Sequence, residues 1–177
     1  PLRDDMKVCG IAFTIRSAAD PVLTGEMETR VEMLETLHAH CVCVWNANGD
    51  DDASHWGEVM TATSRARGCT GAIIDGGIRD TARILAQGFP IWYRYRTSNG
   101  SLSRCRITDY QVPVKVGSAF IRPGDVIFAD IDGAIVIPRE HACNVLCRAE
   151  QIRDNEVEIR DWVDKGLSAE EIHGRGG

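Results

Sequence analysis

The chain has 177 residues, 44% of them apolar and 26% charged, the balance of a globular domain with room for one sizeable core. Twenty Lys and Arg against 26 Asp and Glu give a formal charge of −6, which disfavours nucleic acid as a partner because a phosphate backbone is held by excess positive charge. No apolar run approaches the roughly 18 residues of a membrane-spanning helix, so a membrane is not an expected partner either.

Pro1 is not an initiator Met and a strand pattern begins by Lys7, so the reading expects a single domain over 1–177 that lacks an N-terminal segment. Residues 7–15 (KVCGIAFTI) alternate and are β-branched, which predicts a strand. Met27, Val31, Leu34 and Leu37 recur at helical spacing and predict an amphipathic helix over 26–38. Residues 41–45 (CVCVW) suit a buried strand. Residues 46–55 read as a polar loop with three consecutive acids, Asp50, Asp51 and Asp52, and Ser54 is placed to cap a helix over 56–66.

A second buried strand, 71–75 (GAIID), is expected to end in a Gly76-Gly77 turn, with Arg79-Asp80 opening a short helix through Leu85. Further strands are predicted at 90–95, 112–116, 119–121, 126–129 and 134–137, with a Ser/Gly-rich loop through Ser103 and turns at Pro123-Gly124 and Asp132-Gly133. A long helix is predicted over 139–165, stopped by Gly166. Strand–helix alternation followed by a β-rich second half indicates an α/β fold. Along the last helix Val145, Ala149, Ile152, Ile159 and Val163 share a seam with Glu156, a carboxylate where the core or a partner should lie.

The seven Cys are an odd number set mostly among apolar neighbours, a pattern of reduced, buried thiols in a cytoplasmic protein. Cys41/Cys43 and Cys143/Cys147 are close pairs, but no second pair stands at zinc-site spacing, so core filling is the expected role.

Residues 71–80 (GAIIDGGIRD) concentrate the candidate chemistry. A buried strand delivers a glycine-bearing turn that ends in an adjacent cation and carboxylate, at the strand end where α/β proteins bind ligands. Asp80 is suited to a hard divalent ion and Arg79 to a ligand carboxylate. Equally, Asp80 could cap its helix while Arg79 and Asp75 form a structural ion pair. Gly57, Glu58, Val59 and Met60 head the preceding helix, where amides and the helix dipole favour an anion. No nucleophile elbow, phosphate loop or dinucleotide fingerprint is present.

Residues 57–80 (GEVMTATSRARGCTGAIIDGGIRD) and 112–140 (VPVKVGSAFIRPGDVIFADIDGAIVIPRE) resemble the signatures of the RraA-like superfamily. That superfamily holds metal-dependent 4-hydroxy-4-methyl-2-oxoglutarate/4-carboxy-4-hydroxy-2-oxoadipate aldolases and the regulators of RNase E. The resemblance implies a compact, layered β-rich α/β sandwich with a long C-terminal helix, assembled as a homotrimer or hexamer with clefts between subunits. It implies a lyase, an aldolase or oxaloacetate decarboxylase that releases pyruvate from a 2-keto acid. Asp80 would bind Mg²⁺ or Mn²⁺, as the regulators typically cannot for want of that Asp. Arg79 would contact the substrate, the Gly57–Met60 amides would hold its carboxylate, and Glu156 would come from a neighbouring subunit. Glu58 stands where the aldolases generally carry Asp. The alternative is a non-catalytic regulator that binds an RNA-processing protein.

Overall fold

The computed structural model describes residues 1–21 and 25–175. The chain divides into two compact units, Pro1–Arg139 and Glu140–Gly177. The first is built on an eight-stranded mixed sheet with the order β10-β9-β1-β2-β4-β3, to which β6 adds on β1 and β5 on β4. Its strands are β1 (Val8–Ala19), β2 (Cys41–Asn46), β3 (Ser54–Trp56), β4 (Gly71–Ile78), β5 (Ile91–Arg96), β6 (Cys105–Tyr110), β9 (Val126–Asp130) and β10 (Gly133–Ile137). A separate hairpin joins β7 (Val114–Val116) to β8 (Ala119–Ile121).

Strands β2 and β4 form the middle of the sheet. β2 runs parallel to β1 and β4, and β4 runs parallel to β2, β3 and β5. Covered on both faces, they read as continuous apolar runs rather than alternating ones. Phe13, Ile15, Trp45, Ile74, Ile78 and Ile91 are at most 2% exposed, each worth about 1.5–3 kcal/mol relative to full exposure. β1 pairs with β9 near its start and with β6 near its end, which explains why it runs four residues beyond the predicted Ile15.

Helices α1 (Glu26–Glu35), α2 (Glu58–Ala66) and α3 (Thr81–Ala86) link these strands. The structure departs from the sequence-based expectations at three places. Helix α1 buries Glu26, Arg30, Met33 and Leu34, while Met27 and Val31 are each 52% exposed. An inward Glu26–Arg30 ion pair takes the place of Met27 and Val31 on the buried face, while Leu34 and Leu37 of the predicted seam are buried as expected. Ser54 does not cap a helix but opens β3, and α2 begins after Gly57. Gly76 and Gly77 make no turn; they continue β4, where Gly77 lets the Tyr95 ring and the Ala53 carbonyl approach to 2.5 and 2.6 Å of where a Cβ would stand.

Strand β6 was not anticipated, although Cys105 and Ile107 are buried and Arg106 and Thr108 exposed in strict alternation. Buried Cys41, Cys43, Cys69 and Cys105 fill the core as expected; Cys9, Cys143 and Cys147 are exposed instead.

The second unit contains α4 (Ala142–Asp164), which follows the short 3-10 turn Arg139–His141, and α5 (Ala169–Gly174). α5 is set by a capping box in which Glu171 N donates to Ser168 Oγ and Ser168 N donates to Glu171. No residue of α4 is buried within the chain. Its seam, Glu156 included, is therefore not core, and Val145, Ile152 and Val163 are 40–55% exposed. Among the described residues no helix is long and apolar enough to cross a membrane.

Candidate functional site

The end of β4 delivers Arg79 and Asp80 to the surface, where both line two adjoining clefts of about 470 and 480 Å³. The turn is made by Asp80 itself, in the left-handed conformation with φ 56° and ψ 32°. A non-glycine residue there costs of order 1 kcal/mol or more, a strain that clusters at ligand sites. The Asp80 side chain does not cap its own helix α3. It reaches across, and its Oδ2 accepts a hydrogen bond from the Glu58 amide at 3.2 Å, so it caps α2 from outside. Arg79 Nε stands 3.6 Å from the same oxygen. The expected alternative pairing of Arg79 with Asp75 is not formed; Asp75 faces Arg94 at 3.8 Å.

Gly57 is required by this arrangement. A Cβ on it would lie 2.7 Å from Asp80 Oδ2 and 3.2 Å from Arg79 Cγ, so any side chain would push the carboxylate out of its cradle. The structure thus brings Gly57, Glu58, Arg79 and Asp80 together around one cleft wall. The Glu58 carboxylate is held elsewhere: Arg83 Nη1 donates to both its oxygens at 3.0 Å, and this pairing raises the Arg83 pKa. Val59 is 72% exposed at the rim and Met60 is 7% exposed in the wall. Glu156 belongs to the second unit, exposed on α4.

The donor set suits a hard divalent cation. Asp80 offers one exposed carboxylate beside open cleft, and Mg²⁺ or Mn²⁺ takes one or two carboxylates while keeping several waters. Glu58, committed to Arg83, does not add a second.

A polar layer that was not expected from the sequence reaches the inner wall of the second cleft through Arg30, His55 and Ser101. Glu26, 3% exposed, pairs with Arg30 and accepts from the Ile107 amide at 3.0 Å. The Arg30 guanidinium lies 5.4 Å over the Trp45 ring and donates to Ser101 Oγ at 3.3 Å. Asp50, expected to be a solvated loop acid, accepts from His55 Nε2 at 2.8 Å. That contact assigns the Nε2–H tautomer and leaves Nδ1 to accept from Ser17 Oγ at 3.3 Å, which itself accepts from Trp45 Nε1 at 2.9 Å. Burial lowers the His55 pKa against the opposing pull of Asp50, so the ring is a neutral strut. Cys105 Sγ lies 3.6 Å from Nδ1, but burial pushes the thiol up to about 12, which removes it as a nucleophile. The spacing of Glu26 and Arg30, four apart on a helix, was the signal for this layer.

The model of the RraA-like family, described as Aldolase/RraA, matches residues 1–136. The chain belongs to the RraA-like family. A solved structure described as "novel cellulases from microbes associated with the gut ecosystem" is 50% identical, with a TM-score of 0.86 over 89% of this chain and 71% of that one. The RraAS2 protein of Streptomyces coelicolor, described as an unusual member of the RNase ES inhibitor RraA protein family, is 30% identical with a TM-score of 0.81, covering 90% and 79%. A candidate 4-hydroxy-4-methyl-2-oxoglutarate aldolase of Halalkalibacterium halodurans is 31% identical over 176 residues, 93% of this chain and 81% of that protein. The DlpA protein of Legionella pneumophila is 27% identical over 171 residues; the match takes in 97% of this chain but 28% of DlpA. The RraA-like family therefore spans candidate aldolases and inhibitors of RNA processing, and the mixed α/β fold with its large sheet and long C-terminal helix is the family's.

Proposed function

We propose that this RraA-like chain is a divalent-cation-dependent carbon–carbon lyase that releases pyruvate from a small 2-keto acid. One observation carries the reading: Arg79 and a strained Asp80 share a cleft wall that Gly57 keeps open. Asp80 would hold Mg²⁺ or Mn²⁺. Bound there, the ion supplies Lewis-acid stabilisation of the negative charge that develops on the keto oxygen as the carbon–carbon bond breaks. Arg79 binds and orients the substrate carboxylate, with the amides at Gly57–Met60 as further donors. Arg83 fixes Glu58 at the rim, and proton transfer falls to Glu58 or to Glu156 contributed by a second copy of the chain. On this reading the working form is a cytoplasmic homotrimer or hexamer, and the site is incomplete in a single copy.

The 30% identity to RraAS2 supports a second reading, a non-catalytic inhibitor of RNA processing. The cellulase description supplies a third reading. Glycoside hydrolysis sets two carboxyl groups across the scissile bond, one of them holding a proton, whereas Asp80 lies against Arg79 and Glu58 against Arg83.

The test is pyruvate release, read by a coupled lactate dehydrogenase assay. Oxaloacetate and 4-hydroxy-4-methyl-2-oxoglutarate are each offered with Mg²⁺ and with EDTA, and carboxymethylcellulose hydrolysis is measured in parallel. Pyruvate above the metal-only blank that EDTA abolishes is the expected result. Its absence from folded protein leaves the regulator reading, and sugar release instead of pyruvate would replace the lyase.

A further inference from the structure

Far from the cleft, at the other end of β4, three thiols meet. Cys41 and Cys43 are two apart on β2 and so share a face of the strand. Cys69 lies in the turn between Gly68 (φ +84°) and β4. Their three Sγ atoms lie within 4.8 Å of one another, with Cys41 and Cys69 at 3.0 Å. Three sulfurs around one ion at a metal–sulfur distance of about 2.3 Å would stand about 4 Å apart, so the cluster needs little rearrangement to close on an ion.

We propose that Cys41, Cys43 and Cys69 form a binding site for a soft, three-coordinate monovalent metal ion, of which Cu(I) is the representative. Softness follows from the all-sulfur donor set. The coordination number follows from the surroundings: among the described residues no fourth His, Cys, Asp or Glu joins the three, whereas a structural zinc site almost always takes four ligands. Oxygen-seeking Mg²⁺ is excluded by the same donor chemistry.

Each sulfur binds as a thiolate, so the displaced thiol protons pass to solvent and no electron moves. Entry is through Cys69, 7% exposed against 0% and 1% for Cys41 and Cys43.

The exposed Cys9, Cys143 and Cys147 would also take Cu(I), so the test uses a C9S/C143S/C147S background, reduced and under anaerobic conditions. Cu(I) is supplied as its coloured bicinchoninate chelate. The background protein is expected to withdraw one Cu(I) per chain. Cys69→Ser in that background is expected to weaken the competition at least tenfold, and Cys105→Ser to change it less than twofold. A chelate left intact by the background protein, or a Cys69→Ser variant that competes as well as its parent, overturns the proposal. X-ray absorption at the copper edge of the background protein gives a readout that needs no cysteine variant in the cluster. A first shell of three sulfurs supports the site, and nitrogen or oxygen ligands overturn it.

Discussion

The two ends of β4 carry opposite chemistries on one strand. Beyond Ile78 the chain emerges at Arg79 and Asp80, 51% and 41% exposed, hard oxygen and nitrogen groups at a cleft. Before Gly71 it carries Cys69, packed against two thiols in the core. At the exposed end the groups are poised by strain and by a missing side chain, since Asp80 is left-handed and Gly57 leaves the gap it occupies. At the buried end they are poised by the face that Cys41 and Cys43 share on β2 and by the turn after Gly68 that brings Cys69 to them. An exposed carboxylate exchanges water and substrate freely, while a buried sulfur cluster admits only what can strip its own hydration. On the two proposals, the first end serves turnover and the second retention.

Asp80→Ala tests the division most severely. Metal-dependent pyruvate release is expected to fall at least about 1,000-fold, of order 4 kcal/mol in the barrier, with Cu(I) uptake unchanged. A residual activity within tenfold of wild type would detach Asp80 from the chemistry.

Glu26→Gln probes the wall behind the cleft. The shape is kept, but Arg30, 9% exposed, loses its counter-charge, and the stability loss is expected to be about 3–5 kcal/mol by urea denaturation. An unchanged urea midpoint would mean that Arg30 finds solvent instead.

Gly57→Ala separates position from presence. All ligating groups remain, yet the new Cβ meets Asp80 Oδ2, and a 10- to 100-fold loss of kcat/KM is expected with little change in stability. Full activity would show that the Asp80 cradle is not needed for turnover.

His55 gives a pH signature. Its folded pKa lies below the ordinary value of about 6.5 because of burial, so the unfolded chain takes up the proton first. The stability it contributes is present above about pH 6.5 and is lost as pH falls toward the folded pKa, at no more than about 1.4 kcal/mol per pH unit. Urea midpoints between pH 7.5 and 5.5 should decline more steeply in wild type than in His55→Gln. Parallel profiles would assign the decline to other groups.

Cys69→Ser, in the C9S/C143S/C147S background, completes the contrast with the smallest effect on catalysis. Pyruvate release is expected to stay within twofold of its parent while Cu(I) competition is lost. A large fall in turnover would join the two ends of β4 into one device.

How far these features could be read in the sequence follows from the same contrast. Arg79-Asp80 was legible because its residues are adjacent in the chain and follow a buried apolar run. The sheet's central strands were legible for the same reason, since a strand covered on both faces needs an unbroken apolar segment. The thiol cluster was not legible, because Cys69 stands 26 residues after Cys43 and meets it only through strand pairing. Helix α1 misled for an energetic reason: a paired Glu26 and Arg30 can be buried in place of Met27 and Val31, and apolar periodicity does not register ion pairs. Strand β6 was hidden by polar alternation against a Ser/Gly-rich loop, although Cys105 and Ile107 mark its inner face.

On the proposed reading Asp80 holds a divalent cation at the mouth of the cleft. The most direct measurement is Mn²⁺ binding, followed by loss of the free-ion electron paramagnetic resonance signal, with and without oxalate as a planar mimic of the pyruvate enolate. Wild-type protein in its native assembly is expected to bind one Mn²⁺ per chain, more tightly with oxalate, and Asp80→Asn at least tenfold more weakly in both conditions. Equal binding by the two proteins, or none by wild type with oxalate present, would contradict the account.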